Sequence, residues 1–233
     1  MEVSVGRLTT VGVGLACVVG AVFGQLAHPA RARAYDTLET QVYRVAVIGD
    51  SYTTGTDEGG LGSHSWTARV WRSLAREGMR VAPDVAAEGR AGYVALGDHG
   101  SVFGDLTARA VQPDDALVVF FGSRNDQGAD PGMLAGHSRD TFDLARRLAP
   151  TARFLVIGPP WPTADMPEAI LQVRDVLNVE ARAAGATFID PLGDRWFVGR
   201  PDLIGPDGVH PTDAGHEYLA GKIAPLIRTQ LPR

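Results

Sequence analysis

At 233 residues, with 45% hydrophobic and 21% charged residues, the chain is long enough for one domain with a sizeable core and too apolar to be disordered. A formal net charge of -5 and the lack of a basic stripe argue against a nucleic-acid partner. The single cysteine, Cys17, leaves no internal disulfide framework and no cysteine-based zinc site.

The first segment stands apart. Arg7 precedes an apolar run rich in Gly and Ala from Leu8 to Phe23, and Ala30-Arg31-Ala32-Arg33-Ala34 then offers an A-x-A pattern twice. This is the layout of a secretory signal peptide, cleaved after Ala34 or Ala32. The competing reading is an uncleaved membrane anchor over residues 8–27; the run is short for a span, which favours cleavage. Cys17 is followed by further apolar residues and belongs to that run. The expected organisation is therefore an export segment over residues 1–34 and one folded domain over residues 35–233. The expected location is secreted or in the cell envelope, with membrane contact only if the segment is retained.

The folded part opens on Val45-Ala46-Val47-Ile48, a short apolar run stopped by Gly49-Asp50-Ser51, as expected of a buried central strand. Gly55 to Ser65 is a polar, Gly-rich loop. Trp66 to Glu77 carries Trp66, Val70, Trp71 and Leu74 at helical spacing and stops at Gly78. Arg80 to Ala87 is a second strand, ending in Glu88-Gly89-Arg90-Ala91-Gly92, and Leu106 to Val111 a short helix or turn. Asp115 to Phe121 contains the most hydrophobic run after the export segment, and ends at Gly122-Ser123-Arg124-Asn125-Asp126. Met133 to Leu148 is an amphipathic helix with Leu134, Phe142, Leu144 and Leu148 facing the core. Arg153 to Ile157 is a strand with a proline-rich exit loop around Trp161. Pro167 to Ala184 is a helix, Thr187 to Ile189 a short strand, and Thr212 to Gln230 a terminal helix capped by Thr212 or Asp213. Strands alternating with helices imply βαβ units, a parallel sheet and a three-layer α/β/α fold.

In such doubly wound sheets the carboxyl ends of the strands converge on one crevice. Here those ends supply Ser51, a Gly-rich turn around Gly89, Asn125 and, before the last helix, Asp207-Gly208-Val209-His210. Ser51 taken alone reads as a helix cap rather than a nucleophile, since Ser is a preferred cap. The four together suit acyl transfer from an ester, which needs a nucleophile, a base, a group that orients the base, and donors for the oxyanion. Ser51 can attack, and His210 supplies an imidazole, the natural base to take its proton. Asp207, three residues earlier, can hold the other ring nitrogen. The amides of Ser51 and Gly89 and the side chain of Asn125 can face the oxyanion, with Gly92 the alternative to Gly89. No metal or organic cofactor is required.

These blocks resemble the SGNH, or GDSL, hydrolases. The resemblance rests on Gly49-Asp50-Ser51, Gly89 in its turn, Gly122-Ser123-Arg124-Asn125-Asp126 and Asp207-Gly208-Val209-His210, in the family's order. It implies a flavodoxin-like fold, a nucleophile at Ser51, a base at His210 oriented by Asp207, and an oxyanion hole from Ser51, Gly89 and Asn125. The glycine block departs from the family's usual spacing.

Other chemistries fit less well. Position 53 is Thr, so Ser51 is not in G-x-S-x-G. Gly49 to Gly55 has P-loop spacing, but no Lys follows. His64, His99, His137 and His216 lack metal-ligand spacing and are expected at the surface, as is the Asp57-Glu58 pair. Trp161 either plugs the sheet edge or lines the acyl or leaving-group pocket. The expected substrate is a small-molecule, carbohydrate or lipid ester with a short acyl chain. An apolar channel near Trp161 and Phe103 would favour long chains, and a polar cleft sugars. Sugar O-deacetylation, acyl transfer and a silent binding module on the same fold are the alternatives.

Overall fold

The computed structural model describes residues 41–232. The expected export segment lies outside the described residues. Five strands, β1 (Val42–Gly49), β2 (Arg80–Ala87), β3 (Asp115–Phe121), β4 (Arg153–Ile157) and β5 (Thr187–Ile189), form one parallel sheet in the order β2-β1-β3-β4-β5. The chain moves outward from β1 to β2, then returns to the other side of β1. The resulting switch point, between the carboxyl ends of β1 and β3, is where open α/β sheets place their ligands.

Burial explains the strands. β1 and β3 are covered on both faces, which is why each is a run of consecutive apolar residues. Alternate side chains feed two cores. Ala46, Ile48, Val118, Phe120 and Val156 pack beneath α3 (Phe103–Ala110), α4 (Pro131–Leu148) and α5 (Glu168–Ala183). Val45, Val47, Val119, Phe121 and Ile157 pack against α2 (Trp66–Arg76) and α6 (Asp213–Gln230). The three-layer α/β/α reading holds. Among the described residues β2 pairs with β1 alone, and its Pro83 is tolerated because an edge strand has a side with no ladder to complete.

Helix ends follow local chemistry. α2 closes where Gly78 takes φ +81 and the amides of Gly78 and Met79 bond back to Ala75 and Leu74 at 3.0 and 2.9 Å. α3 starts at Phe103, three residues before the expected Leu106, because Asp105 accepts the Val102 amide at 3.0 Å and Phe103 is fully buried. α4 also starts earlier than expected, since Asp130 caps the Met133 amide at 2.9 Å with Pro131 in the first turn. Thr212 rather than Asp213 caps α6, accepting the Gly215 amide at 3.2 Å.

His216 corrects the expectation of a surface residue: it is 0% exposed. Its Nδ1 accepts the Trp66 amide at 3.3 Å, and a Cβ added at Gly60 would lie 2.0 Å from its Nε2. Burial pushes its pKa from 6.5 down to about 4. Between those values the unfolded chain holds the extra proton, so stability is lost as pH falls through this window. The imidazole accounts for about 2 kcal/mol of lost unfolding free energy between about pH 7 and pH 4.5. In urea unfolding, His216→Asn, which keeps an acceptor for Trp66, is expected to lose that part of the acid sensitivity; an unchanged pH dependence would count against it.

Candidate active site

The site is built from the ends of β1 and β3. Asp50 caps the short helix α1 (Ser51–Thr54): its Oδ1 accepts the Tyr52 amide at 2.9 Å and its Oδ2 the Ser123 amide at 3.1 Å. One carboxylate thus ties the two strand ends together. The approach is so close that a Cβ at Gly122 would lie 2.3 Å from Asp50 Oδ2. Burial pushes the Asp50 pKa up to about 6, against the pull of those two amides and of Arg124. Because Asp50 takes the capping role, the Ser51 hydroxyl remains available.

That hydroxyl is 3.0 Å from Nε2 of His210, whose Nδ1 is 2.5 Å from Asp207 Oδ2. Ser51 is only 9% exposed, so it opens on the crevice rather than on bulk solvent. The Asp207 Oδ1 accepts the amides of Val209 and His210 at 2.8 and 2.9 Å, in a turn that Gly208 permits with φ +68. Burial alone would raise the Asp207 pKa, but the bonds from the His210 ring and from these amides outweigh it and hold the carboxyl below its ordinary range. The Tyr52 hydroxyl donates to the carbonyl of Val209, the residue before His210. The Tyr52 ring is fully buried, edge-on to Phe121 and Phe197.

Gly89 and Asn125 border the same crevice as Ser51 and His210, a cleft of about 670 Å³. Asn125 Nδ2 donates to the Ala91 carbonyl at 3.0 Å, which fixes the amide and leaves its second hydrogen uncommitted. Asp126 anchors the surrounding loop by accepting the amides of Tyr93, Val94 and Ala95 and the Ser123 hydroxyl, at 2.6 to 3.0 Å. Gly92 belongs to this anchor and not to the cleft. Its own amide is spent on Ala95 at 2.9 Å, and a Cβ there would lie 2.5 Å from the Asp126 oxygens. Of the two candidate glycines, only Gly89 faces the crevice.

Trp161 does not line the cleft. It lies under the guanidinium of Arg124, 4.5 Å from ring centroid to charge centre, and donates its Nε1 to Asp165 at 3.0 Å. Phe103 is wholly inside the core, so no apolar channel runs by way of these two rings. Polar and charged side chains make up most of the cleft wall, and among the described residues Ala87 and Val209 are its only aliphatic members. Arg124, Arg109, Glu88 and His99 line it although the motifs do not single them out; Arg124 and Glu88 had a sequence signal, as charges inside the asparagine and glycine blocks. Among the described residues no group of three or more His, Cys, Asp or Glu is placed to share a metal ion.

A serine hydroxyl, an imidazole and a carboxylate thus lie in sequence at the switch point of this sheet. The GDSL-like Lipase/Acylhydrolase family model matches residues 47–218, and the chain belongs to that family of ester-bond hydrolases. Among its relatives is the GDSL lipase Rv0518 of Mycobacterium tuberculosis strain H37Rv, 66% identical over 230 residues, covering 97% of this chain and 98% of that protein. The fold is also that of the crystal structure of TesA, with a TM-score of 0.65 at 23% identity over 81% of this chain and 99% of that one. A family two carbohydrate esterase from Clostridium thermocellum, solved in complex with cellohexaose, aligns with a TM-score of 0.64 at 16% identity over 81% of this chain and 64% of that one.

Proposed function

We propose that the protein hydrolyses carboxylic esters of short acyl chains on polar alcohols, through an acyl-enzyme on Ser51. The observation that carries this reading is the run of 3.0 and 2.5 Å contacts from Ser51 through His210 to Asp207, opening on a polar cleft. Ser51 Oγ attacks the ester carbonyl as its proton passes to His210 Nε2. Asp207 holds the imidazole in the tautomer that can accept that proton and stabilises the imidazolium that forms. The amides of Ser51 and Gly89 and the free hydrogen of Asn125 Nδ2 donate to the oxyanion. Collapse expels the alcohol, which takes the proton from His210. Water, deprotonated by the same imidazole, then releases the acid and restores the serine.

The polar wall supports a hydrophilic alcohol and offers little to a long hydrocarbon, so acetylated sugars are the foremost substrate class. Water rather than a second alcohol is taken as the acyl acceptor. The N-terminal pattern of residues 1–34 supports action outside the cytoplasm.

Hydrolysis of p-nitrophenyl esters from acetate to palmitate, with O-acetylated oligosaccharides alongside, tests the reading. Activity is expected to fall with acyl length; a rise with length would overturn the short-chain preference. Failure of a fluorophosphonate to label Ser51, together with inactivity on every ester, would instead indicate a silent binding module. Asn125→Ala is expected to lower kcat by roughly 100- to 1000-fold with little change in KM. An effect confined to KM would remove Asn125 from the oxyanion site.

A further inference from the structure

The charges around the cleft are unevenly paired: Arg90, Arg109 and Arg124 share the wall with Glu88 and Asp98, and Asp207 stands behind His210. Arg90 and Asp98 face each other at 3.5 Å. Glu88 is 5% exposed and is occupied by the amides of His99 and Ser101, at 2.5 and 3.3 Å. Asp207 is engaged by His210. Two guanidinium groups remain on the wall, Arg109 and Arg124. Among the described residues neither has a carboxylate within 4.0 Å.

Arg124 is the more telling of the two. It is 9% exposed, and its Nη1 is enclosed with no hydrogen-bond partner among the described residues. Trp161 stacks on it, and Asp50 feels its charge from beyond ion-pair distance. A buried cation without a close counter-ion is costly to keep, and a ligand can supply the missing charge. Arg109 is held at the same wall by its bond to Ser101 Oγ, at 3.0 Å. Guanidinium groups match the oxygens of carboxylates and phosphates in a forked geometry. Ser51 and Asn125 border the same crevice, so an anion held there belongs to a molecule whose ester can reach Ser51.

We propose that the cleft selects esters whose alcohol half carries an anionic group, a carboxylate or a phosphate, bound by Arg109 and Arg124. The inference rests on the esterase reading and narrows it. The alcohol half is assigned because the polar wall suits it better than an acyl chain.

The test uses the full chain and three aryl acetates: 4-acetoxybenzoate, 4-acetoxyphenyl phosphate and the neutral 4-acetoxybenzamide. Each rate is divided by that compound's alkaline hydrolysis rate, which removes differences in leaving group. At low salt, at least one anionic ester is expected to exceed the amide in kcat/KM by about ten-fold or more, with the advantage shrinking as NaCl is raised. Which anion leads separates carboxylate from phosphate. Arg109→Gln and Arg124→Gln are each expected to cut the preference to about three-fold or less. An amide that is hydrolysed as well as the anions, or a preference that survives both substitutions, would overturn the proposal. Arg109 is exposed, so its variant decides the matter even if Arg124→Gln fails to fold. Calorimetric titration of Ser51→Ala with 4-hydroxybenzoate, 4-hydroxyphenyl phosphate and 4-hydroxybenzamide separates the two levels. Inactivity on every aryl acetate, with tighter binding of at least one anion that is lost on Arg109→Gln, would sink the esterase reading and keep the anion site. Equal binding of all three would sink the anion site whatever the activity.

Discussion

Ser51→Ala is expected to lower kcat by about 10⁴-fold or more while leaving the fold intact. Both halves of that expectation come from Asp50. Had Ser51 capped its own helix, its removal would have cost the helix start as well as the hydroxyl, and lost activity would have been ambiguous. Here the cap bonds run from Tyr52 and Ser123 to the Asp50 carboxylate and survive the substitution. Among the described residues the hydroxyl's one hydrogen bond is with His210. Thermal unfolding of the variant should therefore track the wild type within about 0.5 kcal/mol, as for changes that break no cap, core or buried network. Turnover within about ten-fold of wild type would exclude an acyl-enzyme at this residue.

Asp207→Asn should cost nearly as much, about 10⁴-fold in kcat, and for a reason set by geometry. The Asp207 Oδ1 already accepts two backbone amides, from Val209 and His210. An asparagine must therefore keep its oxygen there and turn its NH2 toward His210 Nδ1. That ring nitrogen must then accept, which places the imidazole proton on Nε2, facing Ser51, where it cannot serve as a base. The ring stays in place and its tautomer is wrong, so KM should move little while kcat collapses. Steady-state kinetics on p-nitrophenyl acetate reads both quantities. A large rise in KM with kcat preserved would mean that Asp207 acts on binding instead. Because the Asp207 pKa is held below its unfolded value, the wild-type pair also contributes stability above the unfolded pKa, and loses it as pH falls through the folded one.

β1, β3 and β4 were legible in the sequence because buried parallel strands are apolar runs, here stopped at Gly49, Gly122 and Gly158. Arg80–Ala87, Asp115–Phe121, Arg153–Ile157 and Thr187–Ile189 fall where the pattern puts them. Helix starts were less legible. The residue that caps α3, Val102, has no capping side chain, and its signal is an acidic residue three positions on. Ser51, His210 and Asp207 could be selected because each ends a strand or precedes a helix, and the structure brings them together in that order. Gly89 and Gly92 could not be separated, since the choice turns on which amide is already spent. His216 looked like a surface residue because nothing local records that the Trp66 amide and Gly60 close over it. Trp161 marked the right neighbourhood and the wrong layer: the side chain that borders the cleft is the arginine lying on it. Arginine burial depends on contacts between β3 and the β4 exit loop, which no spacing rule encodes.

The bond between Tyr52 and the Val209 carbonyl has a mechanical consequence. The nucleophile opens α1, directly after the central strand β1, whereas the base follows a long irregular stretch from Asp190 to Val209. Left to that stretch, the distance between them would accumulate the slack of every turn in it. The tyrosine bypasses the slack by gripping the base's neighbour from the nucleophile's neighbour, which makes a short strut in parallel with a long, compliant chain. The intervening loop is thereby released from the duty of alignment. It can lengthen, shorten or change its surface without detuning the proton relay, so long as the strut and the glycine turn beside it are kept.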